Sequence, residues 1–231
     1  MARILWVQGF PDQAMAMSAN ALTAALEVGH PHATFYALAY AGVPVALWLG
    51  DLAEAGQRAE RLIALTTGNQ RTEQWGRLLA GVVELRKEGG IREALITSFV
   101  EPRVDLFSTM PLARMLSERT VPVPGPEPEP AEALWNTAEL LRVDAELLLW
   151  HNLPGAVAAA QAKLRRALDI ARDQAALSWE LRAAMSFARL MLNGGQPETA
   201  KLSLAPVLHR FTEGFDTADL KAAKALLDAL Q

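Results

Sequence analysis

The 231-residue chain contains no cysteine, so disulfides, thiol nucleophiles and cysteine-based metal sites are excluded. Aromatic residues make up only 6% of a chain that is 51% hydrophobic. Its apolar content is largely Ala and Leu, strong helix formers, and long runs of Val, Ile and Thr that favour strands are missing. These shortages predict an all-α fold. Basic character is also lacking: 22 Lys and Arg against 26 Asp and Glu give a net charge of −4 at pH 7. A surface that binds nucleic acid needs concentrated positive charge, so direct nucleic-acid binding is not expected. No signal-peptide pattern is in view, and the expected location is the cytoplasm. Walker loop, dinucleotide-binding glycine fingerprint, nucleophile elbow and zincin helix are all missing. Neither a cofactor nor an enzymatic activity is therefore expected.

One long uncharged run is present. Ala33 to Gly50, "ATFYALAYAGVPVALWLG", just reaches the length that spans a bilayer. Thr34, Gly42, Pro44, two tyrosines and several alanines keep its hydropathy modest. A helix sandwiched between neighbours is the expected reading, with no membrane partner.

A spacing pattern then organises the chain. Glycine followed five residues later by alanine recurs at Gly9 and Ala14, Gly50 and Ala55, Gly89 and Ala94, Gly155 and Ala160, and Gly195 and Ala200. Successive glycines lie 41, 39, 66 and 40 residues apart. Glycine ends a helix in a left-handed conformation without a Cβ penalty. The alanine allows the next helix to approach closely, and an aliphatic pair two turns on (Leu62 and Ile63, or Ala167 and Leu168) lies on the same face. Such helix-turn-helix units cannot bury their apolar faces alone and stack. The expected architecture is a TPR-like helical-repeat solenoid of antiparallel helix pairs. Helices are expected over 2–9, 11–28, 32–49, 51–67, 71–88, 90–101, 109–119, 131–151, 155–173, 177–193, 196–212 and 217–230. The short first helix points to a fragment of something longer. The 66-residue interval holds "TVPVPGPEPEP", which cannot be helical. Hence residues 1–119 are expected as N-terminal repeats, 120–130 as a Pro-rich linker replacing an eroded repeat, and 131–231 as C-terminal repeats with a capping helix.

Candidate sites are sparse. "RFTEGFDTADLKAAKALL" gathers carboxylates around Gly214, but it reads as a joint between helices. Asp216 and Asp219 suit a helix N-terminus, Lys221 and Lys224 can pair with them, and Phe211 and Phe215 are expected to plug the end of the stack. His30 and His32 flank Pro31 without a third ligand at helical spacing, so no metal site is expected. Counting back from the turn glycines in a TPR-like register places Tyr40, Arg86, Arg142, Arg182, Met185 and Arg189 on an inner groove. Several arginines on one wall suit a carboxylate or phosphate, and the expected partner is a protein or an acidic peptide. Self-association through the uncovered face of the first repeat is a second expectation. The alternative function is a small-molecule-binding helical domain, or an enzyme with a site in a helical cavity.

Ser178 to Leu230, "SWELRAAMSFARLMLNGGQPETAKLSLAPVLHRFTEGFDTADLKAAKALLDAL", resembles the C-terminal signature of a group of bacterial multidomain signalling proteins. The earlier segments "LWVQGFPDQAM", "YALAYAGVPVALWLGDL" and "AELLRVDAELLL" are similar to repeats of that group. It comprises transcriptional regulators with a winged helix and a predicted STAND-type ATPase, and related adenylate/guanylate cyclase-like proteins. The resemblance implies the C-terminal TPR-like region alone: the winged helix, nucleotide-binding and cyclase motifs do not occur here. The chain departs from the group's pattern between about Ser117 and Leu134, where the proline-rich segment replaces a repeat.

Overall fold

Four of the five alanines that follow the turn glycines, Ala14, Ala55, Ala160 and Ala200, have no exposed surface. A methyl group is all that fits where one helix enters alongside its neighbour. The computed structural model describes residues 1–68, 70–88, 133–152 and 154–230, and no strand occurs among them. The described residues are all-helical. Ala94, the expected helices 90–101 and 109–119 and the Pro-rich 120–130 lie outside the described residues. Two compact units are distinguished, Met1–Trp6 with Pro11–Glu118 and Val7–Phe10 with Arg119–Gln231, and each is described by itself.

The first unit contains α1 (Ala2–Val7) except its last residue, α2 (Pro11–Val28), α3 (Pro31–Ala37), a π turn (Leu38–Gly42), α4 (Val43–Leu49), α5 (Leu52–Thr66) and α6 (Gln70–Glu88). Trp6 lies against Trp48 with ring centroids 4.7 Å apart, over a core that includes Leu38, Val45, Leu47, Leu62 and Leu79. The uncharged run from α3 to α4 is long and apolar enough to cross a membrane by length and composition, and 61% of its window is buried inside the protein. His30 caps α3, its Nδ1 accepting the His32 N–H at 3.3 Å. No group of three or more metal-ligating side chains occurs among the described residues.

The π turn has a local cause. Pro44 brings no N–H, so the α ladder cannot continue through it. The Val43 N–H instead reaches back to the Leu38 carbonyl, an i to i−5 bond. Gly42 allows α5 close, and the buried Arg58 donates to the Gly42 carbonyl at 3.0 Å. α4 ends at Gly50 (φ +81°), where the Asp51 N–H bonds the Ala46 carbonyl and the Gly50 N–H bonds the Leu47 carbonyl. That is a Schellman turn. Asp51 then caps α5 by accepting the Glu54 N–H at 2.9 Å.

The second unit contains α7 (Thr137–His151), α8 (Ala156–Asp173), α9 (Leu177–Asn193), α10 (Pro197–Leu208) and α11 (Ala218–Asp228). Consecutive members of α7 to α10 touch and are joined by only a few residues, which makes each pair an antiparallel hairpin. α9 is central: it packs on α7, α8, α10 and α11, and 14 of its 17 residues are buried. Leu164 of α8 and Leu204 of α10, 40 residues apart, are both fully buried, as are Ala160 and Ala200.

Several boundaries differ from expectation for identifiable reasons. α7 starts at Thr137 because Gln174 holds the preceding segment, its Nε2 donating to the carbonyls of Ala133 (3.1 Å) and Leu134 (3.2 Å). α10 stops at Leu208, two residues after the internal Pro206. Phe211 is buried, whereas Phe215 is 61% exposed and plugs nothing. The turn between α8 and α9 carries no glycine at its left-handed position. Ala175 (φ +51°) occupies it, and the Ala176 and Ala175 N–H groups bond the carbonyls of Ala171 and Arg172 as in a Schellman turn. Gly195 (φ +72°) closes α9 with the same two bonds.

These turns give a reciprocal prediction. Gly155 has φ +81° and open space where a Cβ would stand, so Gly155→Ala meets backbone strain alone and costs about 1 kcal/mol. Ala175→Gly removes such strain, partly offset by a freer unfolded chain, and gains about 0.5 kcal/mol. Urea unfolding of the two variants checks both signs.

Candidate functional site

A guanidinium inside a protein needs carboxylates or carbonyls around it, because losing water costs several kcal/mol per ion. Arg182, in the second turn of α9, is 4% exposed. Its Nη1 donates to Glu139 Oε1 of α7 at 3.1 Å, and its Nε donates to Asp219 Oδ2 of α11 at 2.7 Å. Its guanidinium also lies 5.4 Å from the ring centroid of Trp179, one turn earlier on the same helix. Glu139 is fully buried and takes a two-pronged hold from Arg142, Nε to Oε2 at 2.7 Å and Nη2 to Oε1 at 2.9 Å. Two arginines and two acids thus join α7, α9 and α11.

A second junction lies at the start of α9. Glu180, 3% exposed at its side chain, accepts from Arg172 of α8 (2.9 Å) and from Arg210, just beyond α10. Both of these arginine side chains are half exposed.

The six groove candidates separate on this frame. Arg142 and Arg182 come together on Glu139, but both are buried, as is Met185. Arg189 lies two turns beyond Arg182 on the same helix, is exposed, and has no ion pair among the described residues. Tyr40 and Arg86 belong to the first unit and are half-buried. Tyr40 is stacked among aromatics, 5.3 Å from Trp75 and 5.4 Å from Tyr36, with the Arg3 guanidinium 5.8 Å from its ring centroid. Burial holds Arg3 below its ordinary value, opposed by attraction to Tyr40.

Three important residues were either missed by the sequence reading or given only a local role in it. Glu139 has a signal in retrospect: it precedes Arg142 by three residues, the spacing of a helical ion pair. Asp219 follows Glu139 by twice the 40-residue glycine interval. It stands in the first turn of its helix, as the sequence suggested, and its carboxylate reaches out to Arg182. Arg58 is the third. It donates to Ser18 Oγ at 2.7 Å and to Glu54 Oε1 at 2.7 Å besides the Gly42 carbonyl, and nothing at its own position marks it as buried.

Glu139→Ala removes a buried carboxylate from both Arg142 and Arg182, and a loss of about 3–5 kcal/mol is expected. Arg189→Ala, on the surface of the same helix, changes stability by no more than about 0.5 kcal/mol. Denaturant titration of both variants reads the contrast, and equal effects would contradict the burial described.

The chemistry of the site is guanidinium–carboxylate pairing within a helical core. No family model, no curated protein and no solved structure matches the chain.

Proposed function

We propose that the chain is a non-enzymatic interaction and sensing module, a TPR-like stack of helix pairs that binds an acidic segment of a protein partner in the cytoplasm. The observation that carries this reading is the character of the α9 face running from Arg182 to Arg189. Arg182 already holds carboxylates delivered by two other helices, and Arg189 presents an exposed guanidinium two turns along. Donors that recognise carboxylates inside the protein suit carboxylates brought by another one.

The repeat spacing supports the stacked architecture. Ala160 and Ala200, and Leu164 and Leu204, each 40 residues apart, share their burial, as stacked helix pairs would require. The resemblance of Ser178 to Leu230 to bacterial signalling proteins adds the setting: the chain would be the regulatory C-terminal region of a transcriptional or cyclase-type regulator. In that role, partner binding acts by favouring one state of the attached catalytic or DNA-binding parts, which requires different affinities for the two states.

A fluorescent peptide alternating glutamate and leucine is the direct probe. It should bind the full chain with an affinity that falls as salt is raised, while the lysine–leucine counterpart does not bind. Arg189→Ala should weaken binding about five-fold, the value of an exposed ion pair. Binding of both peptides alike, or of neither, would refute the proposal.

A further inference from the structure

Asp219 is the chain's own acid in the seat that Arg182 offers, and we infer that α11 is a tethered occupant of that seat, displaced when an acidic helix of a partner docks. The inference rests on the acidic-partner reading above and names the partner's form and the regulation of its binding.

The two acids on Arg182 are held very differently. Glu139 is fully buried and doubly bonded to Arg142. Asp219 is 24% exposed at its side chain and is carried by the last helix of the unit. That helix has a slight hold on the rest. Of its 11 residues only Leu220 and Ala223 are buried, with Leu230 just beyond its end. Its N-cap Thr217 gives no side-chain bond to the helix amides; the Thr217 hydroxyl donates backward to the Gly214 carbonyl instead. The approach to it is open, since Phe215 is 61% exposed and Asp216 fully so. A helix this short is marginal in isolation, so α11 persists as a helix through its docking.

Charge gives the direction of exchange. With α11 in place, Arg182 is matched and Arg189 is not. Seven residues along a helix is about 10 Å, and both side chains leave the same face. Seven residues after Asp219 stands Leu226, which offers Arg189 nothing. A partner helix bearing two carboxylates seven residues apart, with small apolar residues in place of Leu220 and Ala223, satisfies both arginines. Such a helix has an advantage that the tethered one lacks. The tether works against it, because a linked competitor acts at an effective concentration in the millimolar range. Weakening the internal pair therefore raises the partner's affinity.

The test uses the full chain and a synthetic amphipathic peptide with two glutamates seven residues apart, followed by fluorescence anisotropy and by hydrogen exchange of the amides of residues 218–228. Asp219→Asn keeps the side-chain volume and should bind the peptide about ten-fold more tightly than the wild type. In the wild-type chain, where no substitution can disturb the fold, the peptide should accelerate exchange across 218–228. Lys221→Ala removes only the exposed pair with Asp216 and should leave affinity unchanged. If wild type and Asp219→Asn bind equally and 218–228 stay protected, α11 is no occupant, while the acidic-partner reading stands. If neither binds, both readings fall together.

Discussion

Arg182 sets the terms for the second unit. A guanidinium with 4% of its surface exposed is tolerable only if acids are brought to it, and those acids come from two other helices, α7 and α11. Apolar burial draws α7, α9 and α11 together but is indifferent to small rotations of one helix against another. A fork of directed bonds is not. Glu139 must face both Arg142 and Arg182, and Asp219 must arrive in the first turn of α11 with its carboxylate turned toward α9. The polar pairs fix the register in which the apolar faces meet. Glu180, gripped from the ends of α8 and α10, does the same from the opposite side of the α9 helix start.

The first unit meets the same problem with different acceptors. Arg58 is 6% exposed and carries one acid, Glu54, four residues earlier on its own helix; its other bonds go to a hydroxyl, a backbone carbonyl and the Met15 sulfur. Those neutral partners come from α2 and from the π turn, so one side chain ties three stretches of chain. The requirement explains why a residue as small as Gly42 stands there: a Cβ at that position would lie 3.3 Å from Arg58 Cδ and 3.3 Å from the Ala37 carbonyl oxygen.

Much of the helical framework was legible in the sequence, because it rests on local rules. α2 and α9 begin and end where the spacing placed them, and Gly50, Gly155 and Gly195 each take the left-handed conformation that their positions suggested. The turn at Ala175 was placed by its neighbours alone, since an alanine at positive φ leaves no mark in composition. The site was far less legible. Helical periodicity puts Arg142, Arg182 and Arg189 on comparable faces, but burial depends on which helices lie opposite, and that is a matter of long-range contact. Hence two of those arginines look like solvent-facing ligands in the sequence and are interior ions in the structure. Asp219 shows the converse: a carboxylate in a first helical turn has a sufficient local role, and its distant partner is invisible without the fold.

The π turn in the long apolar run has an effect on shape and phase. It holds one residue more than the α-helical turn it replaces, so the residues behind it are rotated by about 100° relative to an uninterrupted helix. Phe35 and Ala37 before it, and Trp48 after it, are buried by a single rod that nonetheless changes the side it presents partway along. Loss of one residue between Leu38 and Gly42 would leave the composition and length of that rod nearly unaltered, yet it would swing the Trp48 indole away from Trp6 and turn the whole α4 segment out of phase with the helices around it.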